Sequence, residues 1–411
     1  MSRARYEMVE MPSGFRLAVA TLPESECAAL SIHVPAGSRD DPAGQAGLAH
    51  FVEHMVFKGT ARRDARTISL ETEDVGASLN ACTTEDEVTY EARGEAETLP
   101  LLADMLSDLV WHAAFPEAEI KLEREVIGEE IVMYRESPSD HIGDLISAAL
   151  WSPHPLGEPI AGTEKSIAKI KRDALAGFRD RHHFRKDVVI AIAGPFTPDE
   201  ARDYLLPHLP GSREIPASVE LDLSKLSAPS NLRETRDTEQ LQLALGFRTF
   251  GRRDPRRHAL RLLGMILGES ASSRLFQELR EKRGLCYQIS SDVNLFAEAG
   301  SLEIHAGLAP DSREESLECI YREIEDLRSN GPRADELTRA KRLAVSQTKM
   351  AMESTAAHAS WVGDCLLQYD RLVTPEEVRR EWEKVTADEI REIAAEMLVE
   401  SHQALAEILP D

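Results

Sequence analysis

The order of secondary-structure patterns repeats along the chain, and that repetition limits the possible folds more than any single residue does. A strand pattern at 28–34 is followed by a Gly/Asp/Pro turn and a helical pattern through His50 and Phe57. An alternating Thr/Val/Tyr stretch at 77–91 and a second helical pattern at 97–112 come next. Pro116 then precedes a carboxylate-rich helix over 117–136, and an apolar strand at 188–193 ends at Gly194-Pro195. After the stretch 207–231, which holds four prolines and several serines, the order returns. A strand falls at 241–247, helices at 254–268 and 273–281, strands near 287–295 and 301–308, and helices from Asp311 and Ala334. Aligning Glu119-Ile120 with Glu336-Leu337 gives an offset of 217 residues. We therefore expect an α+β fold of two related domains, residues 1–210 and 232–411, joined by a linker at 211–231.

With 411 residues, 42% of them hydrophobic, the chain is long enough for two buried cores. Its formal charge of -24 removes the attraction that drives binding to phosphate backbones or anionic lipid, so nucleic acid and membrane partners are not expected. No apolar run approaches the length of a transmembrane helix, and the opening MSRARYEMVE carries charges where a signal peptide needs its apolar centre. A cytoplasmic location is expected. The five cysteines, Cys27, Cys82, Cys286, Cys319 and Cys365, lie far apart with no CxxC pair, as reduced thiols would.

Chemistry concentrates in His50-Phe51-Val52-Glu53-His54. On a helix, histidines at i and i+4 project from one face and can share a metal ion, while Glu53 can take a proton from water beside it. This HxxEH order is a zinc-hydrolase pattern. A third ligand is required, and Glu130 lies 76 positions after His54 on the 117–136 helix. Glu123, seven residues before Glu130 and on the same face, can hydrogen-bond a ligand and tune the site. Glu129 competes for the ligand role but points about 100° away from Glu130. The apolar residues Leu122, Val126, Ile127, Ile131 and Val132 are expected to form the helix's buried stripe.

The run GLAHFVEHMVFKGT, with LEREVIGEEIVMY downstream, closely resembles the M16 metallopeptidase family. Gly76-Ala-Ser-Leu-Asn80-Ala81 with Thr83, Thr89 and Tyr90 resembles that family's edge strand beside the zinc, and His154-Pro-Leu-Gly157 with Gly162-Thr163 its following loop. SRLFQELREKRGLCYQIS resembles its substrate-binding segment, with Arg280 and Tyr287 at the Arg and Tyr positions.

The resemblance implies two homologous domains, each an antiparallel-rich sheet packed against helices, that together form half of a clamshell. It implies one zinc per subunit on His50, His54 and Glu130, with Glu53 as general base assisted by Glu123. It also implies that the backbone at Asn80 and Ala81 pairs with an extended substrate, while Arg280 and Tyr287 grip the substrate or its oxyanion. The expected activity is that of a zinc endopeptidase acting on peptides or unfolded segments. The length resembles the shorter, dimeric branch. Because both the zinc residues and the Arg/Tyr pair are present, a homodimer is expected, with a related heterodimeric partner as the other arrangement. A non-catalytic assembly or binding subunit of the same fold is the alternative, and retention of Glu53 beside two ligands argues against it.

Overall fold

The computed structural model describes residues 4–216 and 221–411, so residues 217–220 of the expected linker lie outside the described residues. Contacts divide the chain into two units. One comprises Met1–Ile131, Pro159–Val219 and Lys349–Thr374; the other comprises Val132–Glu158, Glu220–Thr348 and Pro375–Asp411.

In the first unit six strands form one mixed sheet. They are β1 (Arg5–Glu10), β2 (Arg16–Thr21), β3 (Cys27–Val34), β4 (Ser78–Thr83), β5 (Val88–Glu95) and β6 (Val189–Gly194), in the order β1-β2-β6-β3-β5-β4. Only β2 and β6 run parallel. Period-two alternation sorts the side chains by size. Leu17, Val19, Leu30, Ile32, Ile190 and Ile192 face the main core, while Ala18, Ala20, Ala29, Ala191 and Ala193 face the other way. The large face is covered by α1 (Leu48–Val56) and α3 (Leu99–His112), α2 (Ala65–Glu73) lying between them in sequence. The alanine face admits the backbone of a single helix, Thr355–Tyr369, through Ala359, Val362 and Leu366.

The second unit follows the same plan. Strands β7 (Asn231–Arg236), β8 (Leu241–Phe250), β9 (Cys286–Leu295), β10 (Ala299–Leu308) and β11 (Gln403–Pro410) order as β7-β11-β8-β10-β9, with β7 and β11 the parallel pair. Leu243, Leu245, Phe247, Leu302 and Ile304 enter the larger core. Ala244, Ala299, Ala404 and Ala406 receive the helix Pro138–Trp151 through Ile142, Ile146 and Leu150. Gly246 belongs to this small-residue face, since a Cβ there would come within 2.9 Å of a Leu150 methyl. The strand order β2-β6-β3-β5-β4 thus recurs as β7-β11-β8-β10-β9, and the fold is α+β with two related units, as the repeated sequence order requires.

One expectation is corrected in α4 (Glu117–Glu136). Its buried face is Ile120, Glu123, Ile127 and Ile131, whereas Leu122 and Val126 are more than half exposed. Each helical step turns 100°, so Val126 cannot share a stripe with Ile127, and the face that turns inward carries a glutamate.

Candidate metal centre

The helix α1 is set into the core by its own composition. Leu48, Ala49, Phe51, Val52, Met55 and Val56 are fully buried, which leaves His50, Glu53 and His54 on the remaining face. Its N-terminus begins at Gly47, whose φ of 90° is left-handed, and a Cβ there would meet the Ala161 carbonyl at 2.5 Å. The N–H groups of Gly47, Leu48 and Ala49 donate to the Asp41 carboxylate at 2.7, 3.0 and 2.8 Å, which fixes the axis of the helix.

Against this face α4 presents Glu123 and Glu130. The Nε2 atoms of His50 and His54 lie 3.2 Å apart. Glu130 Oε2 is 3.8 Å from the first and 3.6 Å from the second. His54 Nδ1 is 2.8 Å from Glu123 Oε1, and the second Glu123 oxygen accepts from Lys58 Nζ at 2.5 Å. Glu129 is exposed and stands outside this cluster. Glu53 Oε2 accepts a 2.5 Å hydrogen bond from Thr83 Oγ1, which joins the helix to β4.

The electrostatics follow from these contacts. Burial, reinforced by the neighbouring His54, lowers the His50 pKa to about 4 and keeps its ring neutral. Burial alone would also lower His54, but the Glu123 hydrogen bond and the charges of Glu53, Glu123 and Glu130 hold it above the usual histidine value. Glu53 is pushed up, chiefly by burial. Burial would raise Glu123 too, yet its hydrogen bonds to His54 and Lys58 outweigh that and hold it low. With Glu123 ionised, Nδ1 of His54 keeps its proton, and loss of the other proton when a metal binds frees Nε2, the nitrogen that faces His50 and Glu130. Two imidazole nitrogens and one carboxylate oxygen within 4.8 Å make a donor set suited to zinc.

Asn80 and Ala81 lie in β4 at the end of the sheet. Asn80 pairs with Glu91 and Ala81 with Tyr90 of β5, and no described strand lies along the other edge of β4. Arg280 and Tyr287 belong to the second unit. The Arg280 guanidinium lies 4.7 Å from the Phe276 ring centroid and 5.4 Å from that of Tyr287, and Tyr287, at the start of the edge strand β9, is 78% exposed.

Sequence reasoning did not single out Asp41 or Lys58. Asp41 sits six residues before Gly47, too far for a helix-capping pattern to reveal it, and Lys58 is recognisable only once Glu123 is known to face it.

Comparison with known proteins places the chain. The description Insulinase (Peptidase family M16) matches residues 16–164, and Peptidase M16 inactive domain matches residues 169–344. An uncharacterized zinc protease of Mycobacterium tuberculosis is 33% identical over 393 residues, covering 94% of this chain and 90% of its own length. The uncharacterized zinc protease YmxG of Bacillus subtilis is 31% identical over 402 residues, covering 97% of each chain. Among solved structures, a protease from Helicobacter pylori superposes with a TM-score of 0.92 at 20% identity over 100% of both chains. A peptidase M16 inactive domain from Pseudomonas fluorescens superposes with a TM-score of 0.90 at 21% identity, over 99% of this chain and 98% of its own. These are two-unit peptidase folds built around paired α+β sheets, and the sequence relationship is close enough to assign membership. The chain belongs to the M16 peptidase family.

Proposed function

We propose that this protein is a zinc-dependent endopeptidase that cleaves peptides or unfolded segments. The observation that carries the proposal is the convergence of His50 Nε2, His54 Nε2 and Glu130 Oε2 within 4.8 Å, with the Glu53 carboxylate on the same helix face. His50, His54 and Glu130 hold the metal. Zinc, when bound, supplies Lewis-acid polarisation of the scissile carbonyl and acidifies water. Glu53 takes a proton from the attacking water and returns it to the leaving amine, and a carboxyl group whose pKa burial has raised suits both steps. Thr83 holds one Glu53 oxygen, so the other is aimed by a fixed side chain.

The open edge of β4 offers main-chain N–H and C=O groups at Asn80 and Ala81 to an extended peptide, which would add as a further strand. Arg280 and Tyr287 act on the same substrate as donors to a carbonyl or to the developing oxyanion. The working form is a cytoplasmic homodimer whose subunits enclose the site. Mass spectrometry of products from a panel of unstructured peptides, with and without chelator, tests the reading. Internal cleavage that chelation stops and zinc restores is expected; intact peptides at full zinc occupancy would overturn it.

A further inference from the structure

Among the described residues, a second group brings metal-type donor atoms within 4.8 Å of one another: His33, Glu87 and Asp364. It lies on the opposite face of the first sheet from α1. Leu30, Ile32 and Val34 of β3 point into the main core, so Ser31 and His33 point toward the helix Thr355–Tyr369. That helix carries Gly363 where it meets the ring. A Cβ there would come within 2.0 Å of His33 Nε2, so the glycine makes the space in which the imidazole is lodged. His33 is 1% exposed.

The two ring nitrogens differ in their surroundings. Nε2 is 2.9 Å from Ser31 Oγ, the distance of a good hydrogen bond. Nδ1 has Asp364 Oδ1 at 3.4 Å and Thr89 Oγ1 at 3.4 Å. Those separations exceed the 2.7–3.2 Å of a well-made bond. The Asp364 separation matches the spacing between neighbouring ligands of a tetrahedral ion, because bonds of about 2.0–2.1 Å place ligand atoms roughly 3.3–3.4 Å apart. The facing distances in the His50, His54 and Glu130 group, 3.2 to 3.8 Å, are of the same kind. With Nε2–H donating to Ser31, the Nδ1 lone pair is directed at the Asp364 carboxylate.

We infer that His33, Glu87 and Asp364 form a second divalent-cation site, of the zinc, cobalt or manganese class, that fastens the Thr355–Tyr369 helix to β3 and to the loop that leads into β5. An imidazole donor disfavours calcium and magnesium, and one nitrogen with two carboxylates suits a first-row transition ion. Asp364 lies 331 positions after His33 and 277 after Glu87, so the ion's role is to stabilise this long-range packing, independently of the peptidase reading.

The full-length chain carrying His50→Ala and Glu130→Ala, stripped of metal and dialysed against micromolar Co2+, tests the site by metal analysis and thermal melting. Wild type is expected to bind two equivalents and this variant one, with its melting temperature raised by the ion. Adding Asp364→Asn and Glu87→Gln, near-isosteric changes at side chains that are not fully buried, should remove the remaining equivalent and, with it, the ion-dependent rise in melting temperature. Asp364→Asn alone should weaken it about tenfold or more. A folded His50→Ala/Glu130→Ala chain that binds no ion, or binds it only at millimolar concentration, would overturn the inference. So would an equivalent that survives Asp364→Asn/Glu87→Gln.

Discussion

His54 shows how much one contact decides. Its imidazole can serve a metal only if the proton sits on Nδ1, and the Glu123 carboxylate 2.8 Å away holds it there. Glu123→Gln can keep the hydrogen bond but not the charge. We expect it to weaken zinc binding by about 10- to 100-fold, read by competition with a chromophoric chelator. Glu53 is assigned as the base and lies outside the ligand set, so Glu53→Gln should retain zinc while hydrolysis falls by about a hundredfold or more. His50→Ala and Glu130→Ala should instead lose the metal. Full zinc occupancy in Glu130→Ala would remove that residue from the ligand set, and an active Glu53→Gln enzyme would remove the base. Much of this geometry was legible beforehand, because His50 and His54 at i, i+4 and Glu123 and Glu130 at i, i+7 need only helical periodicity to share a face. Asp41 and Lys58 were not, since each acts across a distance in sequence that only the fold closes.

At the scale of elements, the segment after α1 must be held down for the helix to keep its place, and an ion-pair network does this. Arg63, nearly buried, contacts Glu71, Asp104 and Asp108, while Arg62 forms a two-pronged pair with Asp104 of α3. Hydrogen bonds from Arg62 and Arg63 hold the Asp104 carboxyl well below the usual carboxylate range. A folded pKa depressed in this way contributes stability that is present above the unfolded value of about 3.9 and lost as pH falls through the folded one. Wild type should therefore lose stability below about pH 4, and Asp104→Asn should be less stable at pH 7 but show a shallower acid slope. Urea denaturation at pH 7 and pH 3 measures both. Parallel slopes for the two proteins would mean that Asp104 is not the group responsible. Elements themselves read well from pattern, as the β3, β9 and β10 stretches illustrate. Faces read less well, and α4 explains why: Leu122 and Val126 satisfied the apolar criterion, yet the position that turned inward was Glu123, placed there by its partners His54 and Lys58.

For the whole molecule, sequence order conveyed the duplication but not which sheet each helix covers. Pro138–Trp151 packs with strands that begin at Asn231, and Thr355–Tyr369 with strands that end at Gly194. Such choices depend on matching a helix to an alanine-rich sheet face, a long-range selection that local periodicity does not contain. The proposed division of labour is equally long-range. The metal cluster belongs to the first unit, and Arg280 and Tyr287 to the second. Arg280→Ala and Tyr287→Phe should lower kcat/KM by about tenfold or more, with zinc content and melting temperature unchanged. Normal kinetics in both variants would leave the second unit without a part in turnover.

On the proposed reading, substrate shape follows from β4. Its free edge spans only Ser78–Thr83 and can pair only with a segment whose own backbone N–H and C=O groups are unoccupied. An unstructured peptide meets that condition at once, whereas a folded domain must first release a strand. If release requires global unfolding at roughly 5 kcal/mol, only about one molecule in several thousand is competent at any moment. A stable folded protein and its denatured form, offered at equal concentration, should therefore differ in cleavage rate by a factor of roughly 10^3. Comparable rates for the two would mean that substrate is not recognised as an added strand at β4. Equal protection of both, with short peptides still cut, would mean that chain length limits access more than backbone pairing does.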